Sequence, residues 1–232
     1  MSPRYAIYFV PPAESALYRF GAGLLGYDGY TGADVAPSGE AGLPTDWAAL
    51  TTAPRRYGFH ATLKAPFHLA DASAESALID AVTAFGRAPR EPIAVAPAVR
   101  ALGDFIAIVP REPVPALDRL AADCVTCFDR FRAPPSAQDR ARRLTPGLSA
   151  RERAHVERWG YPYVFDDFRF HMTLTGRVPP ERQAEVLATL RRSFSAHHAD
   201  GAIAIDRLGL FKQDDPRARF RVLFHVPLSE AR

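Results

Sequence analysis

Two stretches of this 232-residue chain repeat a histidine and a threonine at one spacing: Phe59-His-Ala-Thr-Leu63 and Phe170-His-Met-Thr-Leu174. An imidazole has an unperturbed pKa of about 6.5, so near neutral pH one histidine can take a proton while a second gives one. A threonine hydroxyl can donate to an oxygen on which charge is building. Two His-x-Thr units facing each other therefore suit cleavage of a phosphodiester. One imidazole activates the attacking water or hydroxyl, the other protonates the leaving oxygen, and the hydroxyls hold the non-bridging oxygens. No metal centre or other cofactor is expected. Neither stretch has His-x-His or His-x-x-x-His spacing, and neither contains a carboxylate.

In an extended strand, residues two apart share a face. Phe59, Ala61 and Leu63 then point one way and His60, Thr62 and Lys64 the other. In the second copy Phe168, Phe170, Met172 and Leu174 oppose Arg169, His171, Thr173 and Thr175. Each strand has an apolar side for a helix layer and a polar side for a ligand. His and Thr stand roughly 7 Å apart along the strand, close enough for one phosphate to touch both. The candidates are His60 and His171 for acid–base work, with Thr62, Thr173, Lys64 and Arg169 as phosphate contacts. Among 29 basic residues only Lys64 and Lys212 are lysines. A lysine in so arginine-rich a chain marks a place suited to a compact ammonium.

These residues need elements to carry them. Apolar periodicity predicts strands over 3–10, 57–67, 93–98, 105–109, 164–175, 202–211 and 220–226. It predicts helices over 13–26, ending at Gly26, and over 73–87, 113–132 and 180–195. Residues 28–46, rich in Gly, Asp, Pro and Ser, read as a loop. The stretch 136–160 carries Arg140, Arg142, Arg143, Arg151, Arg153 and Arg158 and predicts one or two short helices, with Ser149 capping the second. An order also repeats. After each histidine come a strand, a helix, a short strand (Ile93-Ala-Val95 or Ile203-Ala-Ile205), an Arg-(Ala)-Leu-Gly turn at 100–103 or 207–209, and a last strand ending at Pro110 or Pro227. A repeat of half the chain implies an α+β fold that is bilobal and pseudo-symmetric. Two antiparallel sheets would face a central cleft, with helices outside. The expected division of residues 1–232 is a first lobe over 1–112, an arginine-rich helical insert over 113–160 and a second lobe over 161–232.

Apolar residues make up 47% of the chain, enough for a sizeable core. No apolar run approaches the roughly 18 residues of a membrane span. The apolar N-terminal stretch is short, ends in Pro11 and Pro12, and reads as a strand rather than a signal peptide, so a cytoplasmic location is expected. A net charge of +3 suits an anionic ligand and points only weakly to nucleic acid. Cys124 and Cys127 have C-x-x-C spacing but fall inside a helical pattern, where they read as core residues rather than a redox or zinc pair.

The paired motifs resemble those of the 2H phosphoesterase superfamily. The stretches Arg4-Tyr-Ala-Ile-Tyr-Phe9, Tyr57-Gly-Phe-His-Ala-Thr-Leu-Lys64 and Asp167-Phe-Arg-Phe-His-Met-Thr-Leu-Thr-Gly176 are similar to the DUF1045 branch, described as phosphonate-metabolism proteins. The resemblance implies a bilobal α+β fold and metal-free action on a small cyclic phosphate, with His60 and His171 as acid and base and Thr62 and Thr173 on the phosphate. Tyr8, in the first of these stretches, joins the candidate ligand contacts. The branch further implies 5-phosphoribosyl 1,2-cyclic phosphate as substrate. A second phosphate would need a basic subsite, for which Lys212 with Arg217 and Arg219 are the candidates. The alternatives are an enzyme acting on RNA ends, with the arginines of 140–158 on the backbone, and a phosphate- or nucleotide-binding protein without turnover.

Overall fold

A computed structural model describes residues 2–36, 42–71, 73–198 and 201–229. In chain order the elements are β1 (Arg4–Phe9), α1 (Ala16–Leu25), α2 (Trp47–Leu50), α3 (Thr52–Arg55), β2 (Ala61–His68), α4 (Glu75–Arg87), β3 (Ala94–Val95), β4 (Pro97–Leu102), β5 (Phe105–Pro110), α5 (Pro115–Phe128), α6 (Ala137–Arg143), α7 (Ala150–Trp159), β6 (Met172–Thr173), α8 (Pro180–His197), β7 (Ile203–Ala204), β8 (Arg207–Gln213) and β9 (Arg221–Pro227). Part of the loop expected over 28–46, residues 37–41, lies outside the described residues.

Local chemistry explains several boundaries. The Ser15 hydroxyl accepts from the Tyr18 N–H to open α1, and Gly26, at φ 71°, closes it in the left-handed region. Ser149 and Glu152 form a reciprocal capping box that starts α7. The strand expected over 164–175 shortens to β6. Residues Phe165–Asp167 form a 3₁₀ turn in which Phe165 has φ 53°, so the chain reaches the sheet only at Met172. The strand expected over 93–98 divides into β3 and the start of β4.

The repeat is realised element for element: β2-α4-β3-β4-β5 and β6-α8-β7-β8-β9. Seven strands pair antiparallel in the order β4-β5-β6-β2-β1-β8-β9, and β3 pairs with β7. The sheet has two antiparallel halves, β4-β5-β6 and β2-β1-β8-β9, joined where Ala61 pairs with Met172. Equivalent positions of the repeat meet twice, Ala61 with Met172 and Ala94 with Ala204, so a pseudo-twofold axis runs between the copies.

This topology corrects the lobe boundaries drawn along the chain. The half that carries His60 takes its outer strands, β8 and β9, from the second repeat, and the half that carries His171 takes β4 and β5 from the first. Residues 1–112 and 161–232 are thus not separate lobes. The helix after each motif strand carries the following hairpin across the axis: α4 packs on β8 and β9, and α8 packs on β4.

One contiguous core runs behind the sheet and includes Phe9, Phe59, Ala61, Leu63, Phe128, Phe170, Met172 and Leu174. Cys124 is buried there and Cys127 half-buried, both as free thiols, as core packing requires. No described helix is long and apolar enough to cross a membrane. Helix α1 seats the first motif, because a Cβ on Gly21 would overlap the ring of Phe59, the residue before His60. Gly21→Ala is expected to lower stability by about 1–3 kcal/mol through overpacking. Urea unfolding measures this, and an unchanged midpoint would show that α1 does not seat Phe59.

Candidate active site

Strands β2 and β6 bring the two motifs side by side. Ala61 and Met172 are direct partners, and both side chains are fully buried in the core behind the sheet. One residue to either side, His60 stands opposite Thr173 and Thr62 opposite His171. The four polar side chains therefore share the other face, with the histidines on one diagonal and the threonines on the other. Facing Cβ atoms in such pairs are about 5 Å apart.

The two imidazoles are held in the same way. His60 Nδ1 lies 2.9 Å from the carbonyl of Gly58, and His171 Nδ1 lies 2.8 Å from the carbonyl of Arg169. A carbonyl can only accept, so in the neutral ring the proton sits on Nδ1 and Nε2 keeps its lone pair. Each histidine thus uses the carbonyl two residues before it. At the first motif this needs Gly58 at φ 75°, in the region that favours glycine. His60 Nε2 lies 3.3 Å from Thr62 Oγ1. The His60 ring stacks on Tyr8, with centroids 3.8 Å apart and planes at 22°. Tyr57 and Phe211 stand at 6.4 and 6.0 Å, and Phe105 lies 5.6 Å from His171.

Burial lowers the pKa of both histidines. His60 falls to about 4, chiefly because its charged form loses water, with a smaller push from the nearby His171 and partial relief from the Gly58 carbonyl. His171 is lowered by burial, against the pull of the Arg169 carbonyl. Both rings are therefore neutral at pH 7, and each offers Nε2 as a base.

Other candidates stand elsewhere. Lys64 does not join the polar face. A β-bulge shifts the register so that Tyr8 pairs with Thr62 but Ile7 pairs with Lys64. The alternation breaks there, and Leu63 and Lys64 are both buried. Lys64 Nζ donates to the Val125 carbonyl at 3.0 Å and to Asp129 Oδ1 at 3.2 Å, beneath the end of α5. Lys212 is likewise off the site. It pairs with Tyr5, on the face opposite Tyr8, and its ammonium lies 2.7 Å from Glu75 Oε2 and 3.5 Å from Asp214 Oδ1. Arg219 pairs with Asp34, and Arg217 is exposed. The basic subsite expected at Lys212, Arg217 and Arg219 is therefore not formed at the histidines. Arg169 lends its backbone carbonyl, while its exposed side chain acts on Asp167. Tyr8 lies directly on the site. Tyr57 and Phe211 were not among the candidates, although Tyr57 stands only three residues before His60.

The insert's arginines are largely paired. Arg140 reaches Glu157 at 2.6 Å, Arg142 reaches Asp139 at 2.7 Å, Arg151 reaches Asp167 at 2.6 Å and Arg158 reaches Asp129 at 3.0 Å. Arg153 donates to the Leu148 carbonyl. Among the described residues no group of three or more His, Cys, Asp or Glu side chains is placed to hold a metal ion.

The chain belongs to the family described as "Protein of unknown function (DUF1045)", whose model matches residues 62–221. It is 37% identical over 231 residues to a protein of Janthinobacterium sp. (strain Marseille) named "Ribose 1,5-bisphosphate phosphokinase PhnN", matching 97% of this chain and 51% of that one. A protein of the same name from Laribacter hongkongensis (strain HLHK9) is 35% identical over 226 residues, matching 94% of this chain and 50% of its own. The chain thus spans about half the length of these curated relatives. Similar solved structures include a phosphoesterase, at 15% identity and a TM-score of 0.45, and E. coli LigT with NADP+, at 17% identity and a TM-score of 0.45. Each match covers 99% of this chain and 100% of the solved one.

The arrangement of the imidazoles makes a spectroscopic expectation. In ¹H–¹⁵N spectra of the ring nitrogens at pH 7, His60 and His171 give the Nδ1–H tautomer, and His60 takes up a proton only near pH 4. A His60 titration above 6.5, or an Nε2–H tautomer, contradicts the geometry.

Proposed function

We propose that this chain is a phosphoesterase that opens a small cyclic phosphodiester by acid–base catalysis between His60 and His171, without a metal ion. One observation carries the reading: two imidazoles, each oriented through Nδ1 by a carbonyl, share one sheet face with two threonine hydroxyls. Such a site fits a phosphate lying between the strands. One Nε2 takes a proton from water as its oxygen bonds to phosphorus. The other, as imidazolium, gives a proton to the ester oxygen as the phosphorus–oxygen bond breaks. Ring opening gives one product, which carries both the phosphate monoester and the freed hydroxyl. Thr62 and Thr173 donate to the non-bridging oxygens.

The acid needs a proton that burial withholds at rest. An arriving phosphate supplies the opposite charge, which raises the pKa of the imidazoles beside it. Substrate binding and loading of the acid are therefore coupled.

The finer reading of the substrate is 5-phosphoribosyl 1,2-cyclic phosphate. Water attack on its cyclic phosphorus with loss of O2 gives ribose 1,5-bisphosphate, the compound for which the curated relatives are named. The chain contains no Gly-x-x-x-x-Gly-Lys-Ser/Thr sequence, since Lys64 follows Leu63 and Lys212 follows Phe211. The kinase named in those relatives would then reside in the half this chain does not match, with the two activities acting on successive compounds.

Hydrolysis of the cyclic phosphate, followed by ³¹P NMR, is expected to persist in EDTA. His60→Ala and His171→Ala should each lower kcat by about 10²-fold or more. Loss of activity on chelation sinks the metal-free mechanism. Full activity in both variants sinks the site, and no turnover by the parent protein favours the binding-protein alternative.

A further inference from the structure

The β1 face that carries Tyr8 also carries Arg4, which forms no ion pair with a described residue. Arg4, Ala6 and Tyr8 alternate along β1 onto the face of Thr62 and Phe211. Arg4 Nε and Nη2 both donate to Gln213 Oε1, so Nη1 is the nitrogen left for a ligand, and the guanidinium lies over Phe220 at 5.3 Å. Gln213 is buried and neutral, and its amide is fixed on the Ala218 carbonyl. Arg4 and Arg143 line one cavity together with Arg140, Arg142 and Asp139, and the Asp139 carboxylate is taken up by Arg142 at 2.7 Å.

Among the six arginines over 140–158, Arg143 differs from the rest. Its guanidinium lies over the ring of Tyr161 at 4.7 Å, and it makes no hydrogen bond or ion pair to a described residue. Tyr8 is 1% exposed, and its hydroxyl has no hydrogen-bond partner among the described residues. A buried unpaired hydroxyl costs about 1–3 kcal/mol, so its retention calls for a partner. Its electrostatic neighbours are Arg4, Arg143, Tyr57 and Tyr161. Burial also holds the phenol well above its ordinary pKa, which keeps it a donor.

We propose that Arg4, Arg143 and the Tyr8 hydroxyl form a second anion subsite beside the histidines, and that it takes a phosphate monoester carried on the same molecule as the cyclic diester. Guanidinium forks and a phenol O–H match the three terminal oxygens of such a group, and an arginine already stacked on a ring loses little freedom on binding it. Tyr8 links the two subsites, because its ring stacks on His60 and it stands on the same face of β1 as Arg4. The helical insert, through Arg143 held on the Tyr161 ring just beyond it, becomes the specificity element of the cleft. This rests on the phosphoesterase reading of His60 and His171.

The test compares 5-phosphoribosyl 1,2-cyclic phosphate with the same cyclic ribosyl phosphate lacking the 5-phosphate. The parent protein is expected to favour the first by about tenfold or more in kcat/KM, mostly through KM, as charge-assisted hydrogen bonds to one phosphate supply. Arg143→Ala and the isosteric Tyr8→Phe should each bring the ratio to within about twofold. A parent ratio near one, or a ratio unchanged in both variants, overturns the subsite. So does a preference that follows an attached base rather than the phosphate. If neither compound is hydrolysed, the phosphoesterase reading fails, and calorimetry with pyrophosphate on the His60→Ala/His171→Ala protein tests the subsite alone. Binding that is lost on adding Arg143→Ala upholds the subsite; no binding, or binding that survives that change, overturns it.

Discussion

The backbone pairing of Ala61 with Met172 makes one site out of two half-sites. Each motif alone offers one imidazole and one hydroxyl on a short strand. Across the pseudo-twofold axis they become a two-by-two array. The side-chain period of a strand is two, so a slip of one residue would bury all four polar groups and expose the apolar ones. The register is protected from behind, where Ala61 and Met172 are both fully buried. A small side chain against a long, adaptable one fills the space at the axis without needing strict symmetry.

The exchange of hairpins across the axis follows from the same pairing. With β2 and β6 side by side, each has one remaining edge. β1 takes that of β2 and β5 takes that of β6. The later hairpin adds beyond β1, where β8 pairs with it. Neither half of the chain can complete its half of the sheet alone. Separating the halves would therefore unmake the core as well as the site.

Much of this was legible in the sequence, for a definite reason. Alternation of apolar and polar residues fixes which side chains share a face wherever the strand is regular. His60, Thr62, His171 and Thr173 obey it. Lys64 breaks it, because a bulge adds one residue opposite Ile7 and turns the lysine beneath α5. Bulges of that kind carry no composition signal here. Lys212 was misplaced for a related reason: its face depends on register with β1, which a single strand cannot reveal. The order of elements displayed the repeat but not its crossing, since chain order does not say which edge a hairpin joins. The carbonyl contacts of the histidines were also invisible, because they depend on the irregular backbone just before each strand.

The displacement of Lys64 has a chemical consequence. An ammonium on the face of His60 would be a like charge beside a ring whose protonation burial already opposes, and would lower its pKa further. In the proposed mechanism the acid partner could then be loaded only with more difficulty. The bulge instead sets the ammonium against Asp129, on the far side of the sheet. What remains at the histidines is a nearly neutral array at rest. In the reaction we propose, the positive charge nearest the reacting phosphorus is an imidazolium proton taken up as the anion arrives. That proton is mobile and can leave with the ester oxygen, whereas the charge of a lysine in the same place would stay behind on the enzyme.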